Sequence, residues 1–331
     1  MKNRKKIAIV TGGAGFLGSH MVDLLINSDF EVRVIDNLSG GHERNLTQHK
    51  NNIDLKFENI DICDFDINSN IFKNTKYIFH FAGIGDIVPS IEKPLNYFNT
   101  NVQGTANILE AARNNNINKL IYAASSSCYG LANVPTREDH KISPQYPYAL
   151  SKYQGEQLAL HWNQIYNLPI DSIRIFNAYG PRVRTTGVYG AVFGVFLKQK
   201  LENKPLTVVG NGNQKRDFIY ATDVAKAFLK SAQSLNSGEI YNLGAGNPQS
   251  INKLVEIIGG EVVFLPTRPG EPDCTWADIN KIKEKLKWEP LVSFEEGVSN
   301  MLSQINNWKD APLWDKKSIS QATETWFKYL K

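Results

Sequence analysis

The run TGGAGFLG, residues 11–18, decides the fold. Ahead of it, Lys6 to Thr11 is apolar and β-branched and reads as a strand; behind it, Gly18 to Asn27 reads as a helix. Gly12, Gly15 and Gly18 put small residues where the chain must turn tightly and approach a pyrophosphate, with the N-terminus of the helix facing the phosphates. A glycine-rich turn alone is weak evidence, because loops collect glycine for other reasons. The next strand, Glu31 to Asp36, sharpens the reading: Asp36 stands 18 residues after Gly18, where a carboxylate accepts hydrogen bonds from an adenosine ribose and repels a 2′-phosphate. The unit as a whole points to a dinucleotide site that prefers NAD to NADP, against the alternative of a βα turn beside an unrelated surface aspartate.

Outward from this unit the same alternation continues. Leu55 to Asn59, Lys76 to Phe81, Lys119 to Ser125 and Asp171 to Phe176 read as further strands. Helical stretches lie between them, including Asn99 to Asn114 with Val102, Thr105, Ile108, Leu109 and Ala112 at helical spacing. Short strands alternating with helices predict an α/β fold, a doubly wound parallel sheet of Rossmann type. After Asn177 the pattern loosens into loops rich in Gly, Pro and Arg, with helices expected near Ala191 to Glu202, Thr222 to Ser234 and Ile251 to Ile258. The expected division is a dinucleotide-binding domain over 1–177 and a smaller substrate-binding lobe over 178–331, interleaved with the first or following it.

The 331 residues are 42% hydrophobic, enough to bury a large core and too much for disorder. A net charge of +4 arises from 37 basic and 33 acidic residues that are intermixed, so no basic block favours nucleic acid or an anionic membrane. Cys63, Cys128 and Cys274 form neither a disulfide framework nor a zinc motif. The apolar run Ile7 to Val10 is too short for a secretory signal, and nothing reaches membrane-spanning length. A cytoplasmic location is expected. The six histidines show no ligand spacing, and His80 within FHFAG reads as a core residue, so no metal is expected.

Tyr148 and Lys152 in PYALSK stand four apart, on one face of a helix and one turn from each other. A phenol of ordinary pKa about 10 is a poor base at neutral pH, and a neighbouring ammonium together with a nicotinamide cation favours the phenolate. Tyr-x-x-x-Lys by itself is commonly a solvated helix face. Upstream, however, the strand in IYAASSSCYG ends at Ser125, Ser126 and Ser127, and strand C-termini are where an open α/β sheet binds ligands. Ser125 then reads as a proton relay; a serine-rich loop that caps local backbone is the structural alternative.

Over essentially its full length the chain resembles the extended short-chain dehydrogenase/reductases, specifically the NAD-dependent nucleotide-sugar epimerases. The resemblance rests on TGGAGFLGSH, VIDNLSGG, Asp61-Ile62, FHFAG, NVQGTANILEAA, SSSCYG, YALSK, RIFNAYGPR, the segment Gly210 to Tyr220 and RPGEPDCTWAD. It implies NAD contacts from Gly12, Gly15, Phe16, Leu17, Gly18, Asp36, Asn37, Asp61, Ile62, Phe81, Ala82, Gly83, Asn101, Tyr148 and Lys152. Asp61 and Ile62 are implied at the adenine and Lys152 at the nicotinamide ribose. It further implies that Tyr148, helped by Ser125, takes a sugar hydroxyl proton during a transient oxidation, after which the keto-sugar turns over and is reduced on its other face.

Dehydratases and decarboxylases of similar sequence carry acidic residues just after the position of Ser125, where this chain has Ser126 and Ser127. Without that carboxyl group, elimination lacks its proton carrier, so epimerisation ranks above it, and the resemblance implies C4 as the centre. Another nucleotide-sugar epimerase, a dehydratase or reductase, and a non-catalytic dinucleotide-binding module are the alternatives. Arg216 and Arg268 match the arginines that bind the diphosphate, whose geometry suits guanidinium pairs. Gly85, Ser125, Ser126, Asn177, Val192 and Thr275 complete the implied substrate set. Thr275 stands where strictly glucose-type epimerases carry a bulky Tyr, which implies room for an N-acetyl group beside C2; a Thr chosen for local packing is the other reading. The resemblance implies UDP as the carrier, so the expected substrates are UDP-GlcNAc/UDP-GalNAc, UDP-Glc/UDP-Gal, or both. Resemblance also implies a homodimer packed through helices near Asn99 to Asn114 and Ser151 to Asn167. The aromatic C-terminus, with Trp308, Trp314, Trp326 and Phe327, reads as core cover without chemistry, and Arg182 and Arg184 as residues of unassigned role.

Overall fold

The computed structural model describes residues 5–183 and 192–330. Six strands fall within one residue of their expected places: β1 (Lys6–Thr11), β2 (Phe30–Asp36), β3 (Leu55–Asn59), β4 (Thr75–His80), β5 (Lys119–Ser125) and β6 (Ile170–Ile175). The short strands β7 (Asn177–Tyr179), β8 (Leu206–Val209), β9 (Lys215–Arg216) and β10 (Phe218–Tyr220) follow, then β11 (Ile240–Leu243), β12 (Gln249–Ser250) and β13 (Val262–Leu265). Across the main sheet the order is β11-β6-β5-β4-β1-β2-β3, with every pair parallel. Strand order reverses between β1 and β4, which opens a crevice at their C-terminal ends. The other strands form three two-stranded ribbons, β7 with β10, β9 with β12 and β8 with β13.

The helices are α1 (Phe16–Asn27), α2 (Ile87–Glu92), α3 (Pro94–Phe98), α4 (Thr105–Asn114), α5 (Pro147–Tyr166), α6 (Val192–Leu201), α7 (Ala221–Gln233), α8 (Ile251–Ile258), α9 (Asn280–Leu286), α10 (Phe294–Ser303), α11 (Lys316–Ala322) and α12 (Glu324–Tyr329). One expectation changes. Asn99–Gly104, expected as the first turns of a continuous α-helix, is a π-helical segment leading into α4. Its buried Asn101 donates to the Ile84 carbonyl at 3.0 Å and to Ser151 Oγ at 2.9 Å, and accepts from the Ile84 N–H at 2.8 Å. The widened turn sets this amide against the loop after β4, a use typical of π-bulges near functional sites.

Strands buried on both faces read as near-continuous apolar runs, and two cores sandwich the sheet accordingly. Met21, Val22 and Leu25 of α1 and Phe228 of α7 cover one face; Ile108, Leu109 and Ala112 of α4 with Ala159 of α5 cover the other. A third core lies in the C-terminal lobe, where Tyr179 stacks on Phe193 at 4.6 Å and Phe218 on Phe294 at 5.2 Å. Such aromatic pairs stabilise by about 0.5–1.5 kcal/mol each beyond the area they bury. The lobe is not separate in space: β11 pairs with β6, and α7 packs on α1 beneath the sheet. His80 is a satisfied core residue, bonded through Nδ1 to Thr11 Oγ1 and through Nε2 to Thr105 Oγ1; burial holds its pKa near 3, so the ring is neutral.

Candidate active site

The glycines form a cradle under the crevice. Gly12 has φ +68°, and a Cβ there would lie 2.7 Å from the Ala82 nitrogen. A Cβ at Gly18 would strike the Gly12 carbonyl. Only hydrogen fits at both positions, so β1, the turn and β4 close up on one another. Gly15 caps α1 without a side-chain bond, and the first turn of α1 holds no acidic residue. Its end N–H groups and positive dipole end thus stay available to an anion. Phe16 and Leu17 open that turn and pack inward against the two adjoining cores.

Asp36, at the end of β2, is buried and accepts N–H bonds from Ala14 at 3.0 Å and Leu38 at 2.8 Å. Burial raises its pKa while these two bonds pull it down. A carboxylate has about four acceptor sites, so two backbone bonds leave capacity for ribose hydroxyls. Asn37 donates to Asp61 at 3.0 Å, and the Cys63 N–H holds Asp61 below its ordinary pKa. Ile62 is buried against Gly104. Phe81 stacks on Phe228 at 4.4 Å, Ala82 N–H donates to Thr11 Oγ1, and a Cβ on Gly83 would stand 3.6 Å from Lys152 Nζ. Most of the expected dinucleotide residues thus stand about the crevice at the C-terminal ends of β1 to β4 and near the start of α5. A long, anionic, twin-ribose cofactor such as NAD fits its glycine floor, open helix end and terminal carboxylate. Asn101 differs from the others: its amide is engaged by Ile84 and Ser151, so it shapes the crevice from behind.

At the C-terminal end of β5, Tyr148 donates its hydroxyl to Ser125 Oγ at 3.2 Å. Pro147 starts α5, where a missing N–H costs nothing, and Tyr148 follows at once. Ser125 is in turn held by the Ser127 N–H at 3.2 Å. Burial raises the Tyr148 pKa, the Ser125 bond lowers it, and the nearby Asp86 carboxylate raises it. One turn along, Lys152 is buried with its Nζ 4.4 Å over the ring of Tyr122, whose hydroxyl donates to the Lys152 carbonyl. Burial drives its pKa down to about 7 against the opposing pull of Glu156. Without ligand the pair thus rests near neutrality, phenol protonated and amine poised to accept or release a proton. An added positive charge in the crevice favours the phenolate, and an oxyanion there favours the ammonium.

Across the crevice the lobe presents the two arginines. Arg216 is bridged to Glu271 at 2.6 Å and donates to the Pro272 carbonyl at 2.8 Å, and Arg268 lies 3.8 Å from the other oxygen of Glu271. Glu271, which sequence reasoning passed over, thus joins the cations expected to hold the diphosphate; a carboxylate three residues from one arginine was a readable signal. Thr275 donates to Asn177 Oδ1 at 2.7 Å and accepts from the Asp217 N–H at 3.2 Å. These two expected substrate residues touch, and the Thr275 hydroxyl serves the local framework. Val192 begins α6, Gly85 faces open space, and Ser126 opens the turn after Ser125. Arg182 pairs with Asp23 of α1 at 2.6 Å; Arg184 lies outside the described residues. Of two further aromatics nearby, Tyr146 was missed and Trp326 was read only as core cover. Tyr146 stacks on Tyr148 at 6.2 Å, and Trp326 of α12 lies 6.4 Å from Tyr146.

The family described as GDP-mannose 4,6 dehydratase matches residues 9–301. The UDP-glucuronate 4-epimerase of Thermodesulfobacterium geofontis is 35% identical over 326 residues, covering 94% of this chain and 96% of that protein. Among solved structures, the UDP-N-acetylglucosamine 4-epimerase of Methanobrevibacter ruminantium in complex with UDP-N-acetylmuramic acid is 34% identical, with a TM-score of 0.85 and coverage of 91% of this chain and 99% of that one. The UDP-glucuronic acid 4-epimerase of Bacillus cereus, in complex with UDP-glucuronic acid and NAD, is 31% identical with the same TM-score and coverage. With the likeness in sequence and in fold spanning nine-tenths of its length, the protein belongs to the extended short-chain dehydrogenase/reductases, among the nucleotide-sugar epimerases.

Proposed function

We propose that this protein epimerises C4 of a UDP-hexose through a transient 4-keto intermediate, with UDP-GlcNAc/UDP-GalNAc, UDP-Glc/UDP-Gal or both as substrates. The observation that carries this is the 3.2 Å bond from Tyr148 to Ser125 at a strand C-terminus, one helical turn from a buried Lys152 and followed by Ser126 and Ser127 where elimination would need a carboxyl group. Bound NAD supplies reversible two-electron oxidation of the C4 carbinol. Ser125 orients the C4 hydroxyl and relays its proton to Tyr148. Lys152 stabilises the phenolate, and Arg216 and Arg268 hold the diphosphate while the keto-sugar swings. On return, Tyr148 gives the proton back to the oxygen now presented on the opposite face, and the cofactor ends in its starting state.

The assigned NAD and substrate residues are those of the crevice and of the two arginines. Thr275, smaller than Tyr, leaves room beside C2 and favours N-acetylated hexoses. UDP-glucuronate is a second reading, favoured by the relative of that activity; against it, Arg182, a candidate partner for a C6 carboxylate, is engaged by Asp23. The functional division is a dinucleotide-binding part over 1–177 and a nucleotide-sugar part mainly over 178–331. The protein works as a homodimer through α4 and α5, the latter with Leu150, Ile165 and Tyr166 exposed, a reading that light scattering showing a monomer would overturn. It resides in the reducing cytoplasm, which suits the free thiols Cys63, Cys128 and Cys274; among the described residues no helix is long and apolar enough to cross a membrane.

The deciding experiment is NMR of UDP-GlcNAc, UDP-glucose, their galacto epimers and UDP-glucuronate, each incubated with purified protein and no added NAD. Formation of a 4-epimer establishes reaction, cofactor retention and sugar preference together. Unchanged sugars in the presence of protein-bound NAD would remove the substrate assignment.

A further inference from the structure

The family match ends at residue 301, yet the chain continues into two helices that return to the site. The segment leading there is fastened to α6: Lys198 donates to the Lys309 carbonyl and Gln199 to the Trp314 carbonyl. A capping box, in which Asp315 and Ser318 bond each other's backbone, starts α11. Beyond it α12 lies between α2 and the loop of Pro269. On one side Thr325 donates to Glu92 of α2 at 2.9 Å. On the other, the Trp326 indole N–H donates to the Pro269 carbonyl at 2.8 Å, in the loop that carries Arg268 and Glu271.

Of the three aromatic residues of α12, Trp326 is 5% exposed while Phe327 and Tyr329 are 44% and 59% exposed. Only Trp326 turns inward. It lies 6.4 Å from the Tyr146 ring, which stacks on Tyr148, and 6.0 Å from the Arg268 guanidinium. A hexose whose C4 hydroxyl meets Tyr148 and whose diphosphate meets Arg216 and Arg268 must occupy the interval that Trp326 spans. Beside it a cavity of about 300 Å³ remains between Gln145, Gly270, Tyr329 and Leu330.

Resting on the epimerase reading above, we propose that α12 is a strap across the hexose subsite and Trp326 its inner wall, a specificity-determining residue that retains the keto-sugar while it turns over. A keto-sugar held only through its diphosphate can leave before it is reduced, and each escape strands the enzyme with reduced cofactor. A wall that is flat and apolar, its indole N–H already committed to Pro269, blocks exit without locking either orientation of the ring, as directional hydrogen bonds would.

The test compares the wild-type holoenzyme with Trp326→Ala, Trp326→Phe and a chain ending at residue 311, using UDP-GlcNAc and UDP-glucose. Trp326→Ala should raise KM roughly tenfold. During turnover it should also accumulate the absorbance of reduced nicotinamide, with a matching amount of keto-sugar trapped in solution by borodeuteride. Trp326→Phe should restore both toward wild type, which a merely structural role would not predict. The shortened chain should behave as Trp326→Ala or worse. An alanine variant with an unaltered melting temperature, unchanged KM and no build-up of reduced cofactor overturns the strap. If the wild type itself converts no UDP-hexose, the epimerase reading fails instead, and hydrogen exchange of residues 324–329 then decides the strap. Protection on adding UDP-glucose supports a wall over a nucleotide-sugar subsite, and unchanged exchange refutes it.

Discussion

At the scale of single residues, the chemistry turns on groups whose burial opposes their charged forms. Tyr148 and Lys152 are each pushed toward neutrality, so a resting site does not waste its base on water, and ligand charge switches it. Replacing Tyr148 by Phe keeps the ring in its stack with Tyr146 and removes only the hydroxyl bonded to Ser125. Turnover should fall by about two to four orders of magnitude, while bound NAD measured by absorbance stays stoichiometric. Lys152 also has a thermodynamic signature. Its folded pKa is about 7 against an ordinary 10.5, so between those values the unfolded chain binds more protons. This contribution to stability is complete above the ordinary lysine value, declines as pH falls through the window and is gone below about 7. Melting temperatures of NAD-stripped protein should therefore climb as pH rises from 7 toward the tyrosine range, and Lys152→Met should flatten that slope. Thr275 offers a third test. Thr275→Tyr fills the space proposed for the N-acetyl group, but it also disturbs the bonds to Asn177 and Asp217. Thr275→Val abolishes the hydroxyl without filling the space. If steady-state kinetics show UDP-GlcNAc turnover lost in the Tyr variant and kept in the Val variant, size is the gate; equal losses in both assign Thr275 to the framework.

At the scale of elements, the turn between β1 and α1 is the least tolerant of change. A Cβ at Gly18 collides with the Gly12 carbonyl inside the turn that presents the helix end. Gly18→Ala should destabilise by about 1–3 kcal/mol, as overpacking does, and should lose NAD on gel filtration, because the displaced backbone is the proposed phosphate cradle. This turn was legible because glycine spacing, flanking strand and distant Asp36 all constrain the same local geometry. Most of the first six strands were legible for a related reason: β1, β4 and β5 carry apolar runs, β2 and β3 alternate apolar with polar residues, and Gly, Asn or Pro punctuates them. β11 was not, since Ile240–Leu243 is four residues long and becomes a strand by pairing with β6, a long-range event that leaves little local mark. The π-helical segment was hidden because Asn101 looks like an ordinary polar helix position until Ile84 and Ser151 are brought to it. Likewise, nothing within ETWFKY tells which aromatic turns inward; Pro269, Tyr146 and Arg268 select Trp326 from outside the helix.

At the scale of the whole molecule, the functional division proposed near residue 177 does not coincide with a folding division. A chain stopped there would keep β1 to β6 and the glycine cradle but lose β11 and α7. The outer edge of β6 would then present unpaired N–H and C=O groups over the span that β11 now occupies, Ser172 to Ile175, and a bare strand edge invites association. Loss of α7 would uncover Met21, Val22 and Leu25 of α1, now fully buried together with Phe228. At about 1.5–3 kcal/mol for each large apolar side chain removed from burial, three such exposures are of the same order as a typical domain stability of about 5–15 kcal/mol. The ion pair of Lys119 with Asp171 would suffer as well, since Lys119 donates to the Ser231 carbonyl and Asp171 accepts from the Ser231 hydroxyl. A fragment of residues 1–177 should therefore be insoluble or fail to bind NAD, whereas a fragment of residues 1–245, which regains both elements, should recover solubility and part of its cofactor affinity. Expression of the two fragments side by side, read by sedimentation and by NAD binding in calorimetry, separates the cases. A soluble, NAD-binding 1–177 fragment would show that the dinucleotide half folds alone and that β11 and α7 merely decorate it.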